Sequence, residues 1–101
     1  MISSKAAKRY AKALLTLSQE QGSLEEVLED IKTIHDTIKG SRDLQVTLKS
    51  PIVKPSDKTI ILDEIFSKHI GTLAMQFILL VAEKERSALL PLITGAFFSL
   101  Y

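Results

Sequence analysis

The side chains that could carry chemistry are few in this sequence. Histidine occurs only at positions 35 and 69, and cysteine does not occur at all. A helical metal site needs a second histidine or a carboxylate one turn on, at i+4, and neither histidine has one. Asp36 follows His35 directly, so the two point apart on a helix, and His35 reads as a polar-face or boundary residue. His69 falls at the end of a helical segment, where a cation complements the macrodipole. Glu25, Glu26, Glu29 and Asp30 look like an acid–base cluster until they are placed on a helical wheel. Glu25 with Glu29, and Glu26 with Asp30, then become i,i+4 like-charge neighbours on a solvated face, in the half of a helix where acid is favoured. No phosphate-cradling glycine loop, nucleophile elbow or Ser/His/Asp arrangement is visible. The missing thiols exclude disulfides, thiolate catalysis and cysteine-ligated zinc. No catalytic residue, metal or cofactor is expected.

What remains is surface for a partner, and that depends on the elements presenting it. The 101 residues suffice for one domain. Hydrophobic residues make up 46% and charged residues 25%, a balance that argues against disorder. Helical periodicity runs through the whole chain, with no strand-type alternation and no Asn-Gly or Asp-Gly hairpin turn. A first helix from about Ser4 to Gln21 closes at Gly22, a natural left-handed terminator. Ser23 and Glu26 form a capping box opening a second, with Leu24, Val27, Leu28, Ile31, Ile34 and Ile38 at spacings of three and four, ending at Gly40. A short third helix spans about Arg42 to Lys49, with Leu44 and Leu48 inward. Pro51 and Pro55 break it, and a fourth starts at Ser56 or Asp57 with Ile61, Leu62, Ile65 and Phe66 as its core face. Gly71 stops that helix. Thr72 caps a fifth from Leu73 to about Lys84, and Ser87 starts a sixth that runs to Tyr101, with Pro91 near its first turn. The expected fold is an all-α, single-domain six-helix bundle over residues 1–101.

Two of these helices carry more apolar surface than one core face needs. The stretch AKRYAKALL, Ala7 to Leu15, threads Lys8, Arg9 and Lys12 through alanine, leucine and Tyr10. Ala6, Tyr10, Ala13 and Leu17 form one stripe beside a second of Ala7, Ala11, Leu14 and Ser18. Alanines permit close backbone approach, Tyr10 offers a ring with a hydroxyl, and the lysines cover the rim with their stems, which suits helix-in-groove recognition. The fifth helix is apolar on more than one face: Phe77, Leu80 and Val81 can face a core only if Ile78 and Leu79 do not all follow.

Charge and hydropathy narrow the partner class. Net charge is +1, with Lys5, Lys8, Arg9 and Lys12 offset by acid in the second helix, which gives no nucleic-acid footprint. The longest apolar run, LAMQFILLVA, is too short for the ~20 residues that span a bilayer, so no direct membrane insertion is expected. The lysine-rich start lacks the character of a secretory signal and of an arginine-rich transit peptide. A membrane-surface role for the Lys5–Lys12 face and a helical protein-binding adaptor of some other assembly are the competing readings.

Three stretches, RYAKALL, SPIVKPSDKTIILDEIF and FILLVAEKERSALLPLITGAFFSLY, together resemble the N-terminal domain of the delta subunit of F-type ATP synthase. The mitochondrial relative of that family is the oligomycin-sensitivity-conferring protein. The resemblance covers essentially the whole chain, through an Arg-Tyr-Ala start, a Ser-Pro followed by Lys-x-x-Ile-Leu, and a Glu-x-x-Arg-x-x-Leu-Leu turn in that order. This sequence has Met75-Gln76-Phe77 where the family commonly has an asparagine before Phe-Leu. The family chain is also nearly twice as long, so the sequence looks like an isolated N-terminal domain. The resemblance implies a six-helix bundle on top of the catalytic head, whose groove between helices one and five receives the amphipathic N-terminal helix of an alpha subunit. The implied groove residues are Ala6, Tyr10, Ala13, Leu14 and Leu17 on the first helix, with Gln76, Leu79, Leu80 and Glu83 on the fifth. It further implies a non-catalytic stator role, peripheral-stalk b subunits as partners of the missing C-terminal half, and a peripheral place in the ATP synthase complex. A methionine almost directly before the first helix favours the cytoplasmic face of a bacterial inner membrane over an organelle.

Overall fold

The computed structural model describes residues 2–101, with side chains from Lys5 onward; Met1, on which the expectation of a leaderless bacterial start rests, lies outside the described residues. The helices are α1 (Ile2–Glu20), α2 (Leu24–Lys39), α3 (Arg42–Lys49), α4 (Pro55–Phe66), α5 (Thr72–Glu83) and α6 (Leu90–Leu100). A single 3₁₀ turn, Ser87–Leu89, leads into α6. No strand occurs among the described residues. The six-helix, all-α expectation is met.

The helix ends show why the boundaries fall where they do. α1 closes in a Schellman motif: Gly22 N–H donates to Gln19 O at 3.2 Å, Ser23 N–H to Ser18 O at 2.9 Å, and Gly22 sits at φ +68°. That termination takes over Ser23. Its backbone (φ −118°, ψ 21°) leaves the extended cap conformation, so its hydroxyl makes no cap bond and stays buried without a partner. The capping box expected at Ser23 and Glu26 therefore does not form. Ser41, which is extended, does cap: its Oγ accepts the Leu44 N–H at 3.2 Å. α4 begins at Pro55, a residue before the expected start, because the ring presets φ for a first helical position. α5 is capped from another helix. The Asp30 carboxylate on α2 accepts the Gly71 N–H at 2.9 Å, so this aspartate is not simply part of a solvated acidic face.

α6 is the element on which α1 and α2 close. It lies against α1 and against α2, while α5 pairs mainly with α4. Leu90, Ile93 and Phe97 of α6 join Ala7, Ala11 and Leu14 of α1, and Val27, Ile31, Ile34 and Ile38 of α2, in one continuous core. α5 contributes Ala74, Met75, Ile78, Val81 and Ala82. Ile78 thus faces inward and Leu80 does not, the reverse of what the fifth helix's apolar run suggests.

The core is tied by polar groups at one junction. The Leu48 carbonyl, near the C-terminus of α3, accepts the Ser87 hydroxyl at 2.6 Å and the Lys58 ammonium at 3.2 Å. Lys58 is the one buried cationic side chain among the described residues, and an unpaired carbonyl end of a helix is where a cation is favoured. Charge contributes little elsewhere: Lys32 and Glu29, exposed at 3.2 Å, form the only ion pair among the described residues.

α5 ends in a second Schellman motif, with Glu85 N–H to Ala82 O and Arg86 N–H to Val81 O, both at 3.0 Å. Here the left-handed position is held by Glu85 at φ +60°, which costs a non-glycine residue about 1–2 kcal/mol. A Cβ added at Gly22 would meet nothing within 4 Å, so Gly22→Ala is a purely conformational change. It should lower stability by about 1 kcal/mol, or about 4–8 °C in Tm, whereas Glu85→Gly should leave Tm unchanged or raise it. Thermal unfolding followed by circular dichroism checks the opposite signs.

Candidate protein-binding groove

The outer face of α1 follows from its inner one. Ala7, Ala11, Leu14 and Ser18 are all buried to 1% exposure or less, at spacings of four, three and four. The residues preceding or following them by one position are rotated toward the outside. Ala6 and Tyr10 are half-buried, while Ala13 and Leu17 are exposed. Leu14 must therefore be removed from the expected groove set. Its three- and four-residue spacing from Ala11, Ala7 and Ser18 turns it into the core, where no partner reaches it.

Tyr10 is the hinge of the face. Its ring meets Phe77 of α5 edge-on, with centroids 6.2 Å apart and planes at 75°. Its hydroxyl accepts a hydrogen bond from Arg86 Nη1 at 3.0 Å, and the guanidinium carbon lies 5.7 Å from the ring centroid. Arg86 stands there because the left-handed Glu85 ends α5 and turns the chain back. α1 and α5 make little backbone contact, since α1 rests on α6 and α5 on α4. The two helices meet through these rings and the arginine.

Two depressions open along α1. One, of about 280 Å³, is lined by Ala6, Arg9, Tyr10, Ala13 and Arg86. The other, of about 450 Å³, is lined by Arg9, Lys12, Ala13, Thr16, Leu17 and Glu20. The structure thus brings Ala6, Tyr10, Ala13 and Leu17 onto one surface. Across from them on α5, Gln76, Leu80 and Glu83 are exposed and Leu79 is half-buried against the core. None of these four lines either depression. Phe77, Arg9 and Arg86 are the residues that sequence reasoning did not place at this surface. The turn KERS and the Arg-Tyr pair were both visible, but no local pattern couples residues 76 positions apart. The α1 side presents small apolar residues, one aromatic and the exposed Leu17 (40%) beside a cationic rim, and α5 presents the exposed Leu80 (44%).

A family model described as "ATP synthase delta (OSCP) subunit" matches residues 6–101. The chain is 43% identical over 100 residues to the ATP synthase subunit delta of Chlorobaculum parvum, an alignment covering 99% of this chain and 55% of that relative. It is 41% identical to the subunit delta of Chlorobium luteolum over 92 residues, which is 91% of this chain and 51% of the relative. The subunit delta of Chlorobaculum tepidum is 41% identical over 100 residues, 99% of this chain and 55% of the relative. The chain spans about half the length of these curated relatives.

The Tyr10–Arg86 pair is partly solvated, so its coupling is small and measurable. A double-mutant cycle of Tyr10→Phe with Arg86→Ala should return about 0.5–1 kcal/mol of interaction energy in urea unfolding. Tyr10→Ala, which also removes the ring from Phe77, should cost more than Tyr10→Phe.

Proposed function

This chain belongs to the ATP synthase delta (OSCP) subunit family, and on that premise we propose that it is a stator component holding the catalytic head of an F-type ATP synthase to its peripheral stalk. It performs no catalytic step of its own. The surface between α1 and α5 receives an amphipathic helix, the N-terminal segment of an alpha subunit. The remaining half of a full-length subunit, with no counterpart in this chain, engages the peripheral-stalk b subunits. The complex sits at the cytoplasmic face of a bacterial inner membrane. No helix among the described residues is long and apolar enough to cross a membrane, which accords with peripheral attachment.

The observation carrying this reading is the Tyr10–Phe77–Arg86 contact flanked by Ala6 and Ala13. The rings join two helices whose backbones otherwise stay apart, and the two depressions open on the α1 side of that contact. Alanines on the α1 side let an incoming helix approach its backbone. Leu17 and Leu80 supply the exposed apolar anchors. Magnitudes favour this centre over the rim. Completing the burial of each leucine contributes about 1–2 kcal/mol, while an exposed ion pair at Lys8, Arg9 or Lys12 is worth about 0–1 kcal/mol.

The test is a titration of the chain with a peptide of about 20 residues from the N-terminus of the cognate alpha subunit, followed by amide chemical shifts. Saturable shifts on Ala6–Leu17 and Gln76–Glu83 are expected. Ala13→Asp and Leu80→Asp, both at exposed positions, should each weaken binding about tenfold or more with little change in Tm. Leu79→Asp is a poorer probe, since Leu79 packs on the core. A folded chain that shows no saturable shift, or an Ala13→Asp variant that binds as tightly as the parent, would overturn the groove.

A further inference from the structure

A second concavity lies on a different part of the surface, where α2, α3 and the start of α6 converge. It measures about 230 Å³, and its walls include Ile38, Leu48, Ala88 and Pro91. Ile38 and Leu48 are core residues at 1% and 2% exposure, so the floor is apolar and fixed by packing. Lys39 and Lys49 stand at its exposed edge, and no acidic side chain lines it. Neither lysine is ion-paired among the described residues.

His35 also lines this cavity, and the hydrogen-bond geometry assigns its ring nitrogens. The Thr94 hydroxyl donates its one proton to the Pro91 carbonyl at 2.9 Å. With that bond made, its oxygen, 2.8 Å from His35 Nδ1, accepts from the ring in the tautomer that satisfies both contacts, with the hydrogen on Nδ1. An edge-on contact with Phe98, centroids 5.2 Å apart, holds the imidazole plane. Nε2 has no partner among the described residues. Gln45 closes one side without competing as a donor: both hydrogens of its amide go to backbone, to Ile38 O at 2.9 Å and Lys39 O at 3.1 Å.

From this arrangement we infer that the cavity binds a small single-ring aromatic acid bearing a hydroxyl. The apolar floor takes the ring, and the volume suits one: a dry cavity of about 150 Å³ already accepts benzene. The hydroxyl donates to His35 Nε2. The carboxylate meets Lys39 and Lys49 at the edge, where a cationic rim without acid selects an anion. This site is independent of the α1–α5 surface, so its fate and that of the groove are separable.

The probe is 4-hydroxyphenylacetate, titrated into the chain and followed by amide and imidazole chemical shifts. Low-millimolar, saturable binding is expected for a ligand of this size, with shifts at His35, Ile38, Leu48 and Ala88. Phenylacetate, without the hydroxyl, should bind several-fold more weakly. Tyramine, with an ammonium in place of the carboxylate, should not bind. Lys39→Glu with Lys49→Glu, both at exposed positions, should lower affinity at least about tenfold. His35→Phe, which keeps an aromatic ring beside Phe98, should erase the preference for the hydroxyl. Absence of saturation at about 20 mM, shifts outside these residues, or equal binding of tyramine would each overturn the assignment.

Discussion

The packing of α1 on α6 is the constraint from which the rest of the molecule follows. Along α1 the inward positions are Ala7, Ala11, Leu14 and Ser18, three of them small. Small side chains let the helix lie close to α6, whose own Leu90, Ile93, Thr94 and Phe97 are buried. Once that face is committed, the rotation of α1 about its axis is fixed. Ala6, Tyr10, Ala13 and Leu17 then have nowhere to go but outward. Tyr10 meets Phe77 across α1 and α5, which rest on different neighbours: α1 on α6, and α5 on α4. A larger residue at Ala7 or Ala11 would therefore disturb the outer surface as well as the core.

The architecture could be read from residue pattern because it rests on local rules. Spacings of three and four in α2, the glycine after α1, Pro51 before α4 and Pro55 at its first position each act within one or two helical turns. Family resemblance supplied the expected groove residues. What the sequence did not reveal lies at longer range. Ser23 looked like a cap, yet the Schellman closure of α1 had already claimed its backbone. Asp30 looks like one of a solvated set, yet it caps a helix whose N-cap residue, Gly71, lies 41 residues later. Leu14 was counted on the groove face although its spacing from Ala7 and Ala11 already placed it inward. Phe77 and Arg86 met Tyr10 only through the tertiary fold, and no periodicity encodes such a meeting.

Two polar junctions share the work of fixing this fold. At the first, Leu48 O gathers Lys58 and Ser87, so the ends of α3, α4 and the turn before α6 converge on one carbonyl. At the second, Arg86 clasps Tyr10 from the turn that ends α5. They lie one residue apart in sequence, at Arg86 and Ser87, and face in opposite directions: the serine inward, the arginine outward. The turn between α5 and α6 thus couples the core to the outer face of α1. The left-handed Glu85 is the backbone cost of that turn.

The lone exposed ion pair of the described residues, Lys32 with Glu29, has a consequence for how the protein meets its surroundings. With 13 cationic and 12 anionic side chains almost all unpaired, the fold is held by dispersion and solvent exclusion, neither of which dissolved salt screens at ordinary concentrations. Ionic strength therefore acts on the cationic fringe of α1 and leaves the bundle beneath it alone. The outer surface of α1, with the Tyr10 ring set against Phe77, keeps its shape at salt concentrations that would loosen a charge-built one, and dissolved ions alter only the field that its cationic fringe projects into solvent.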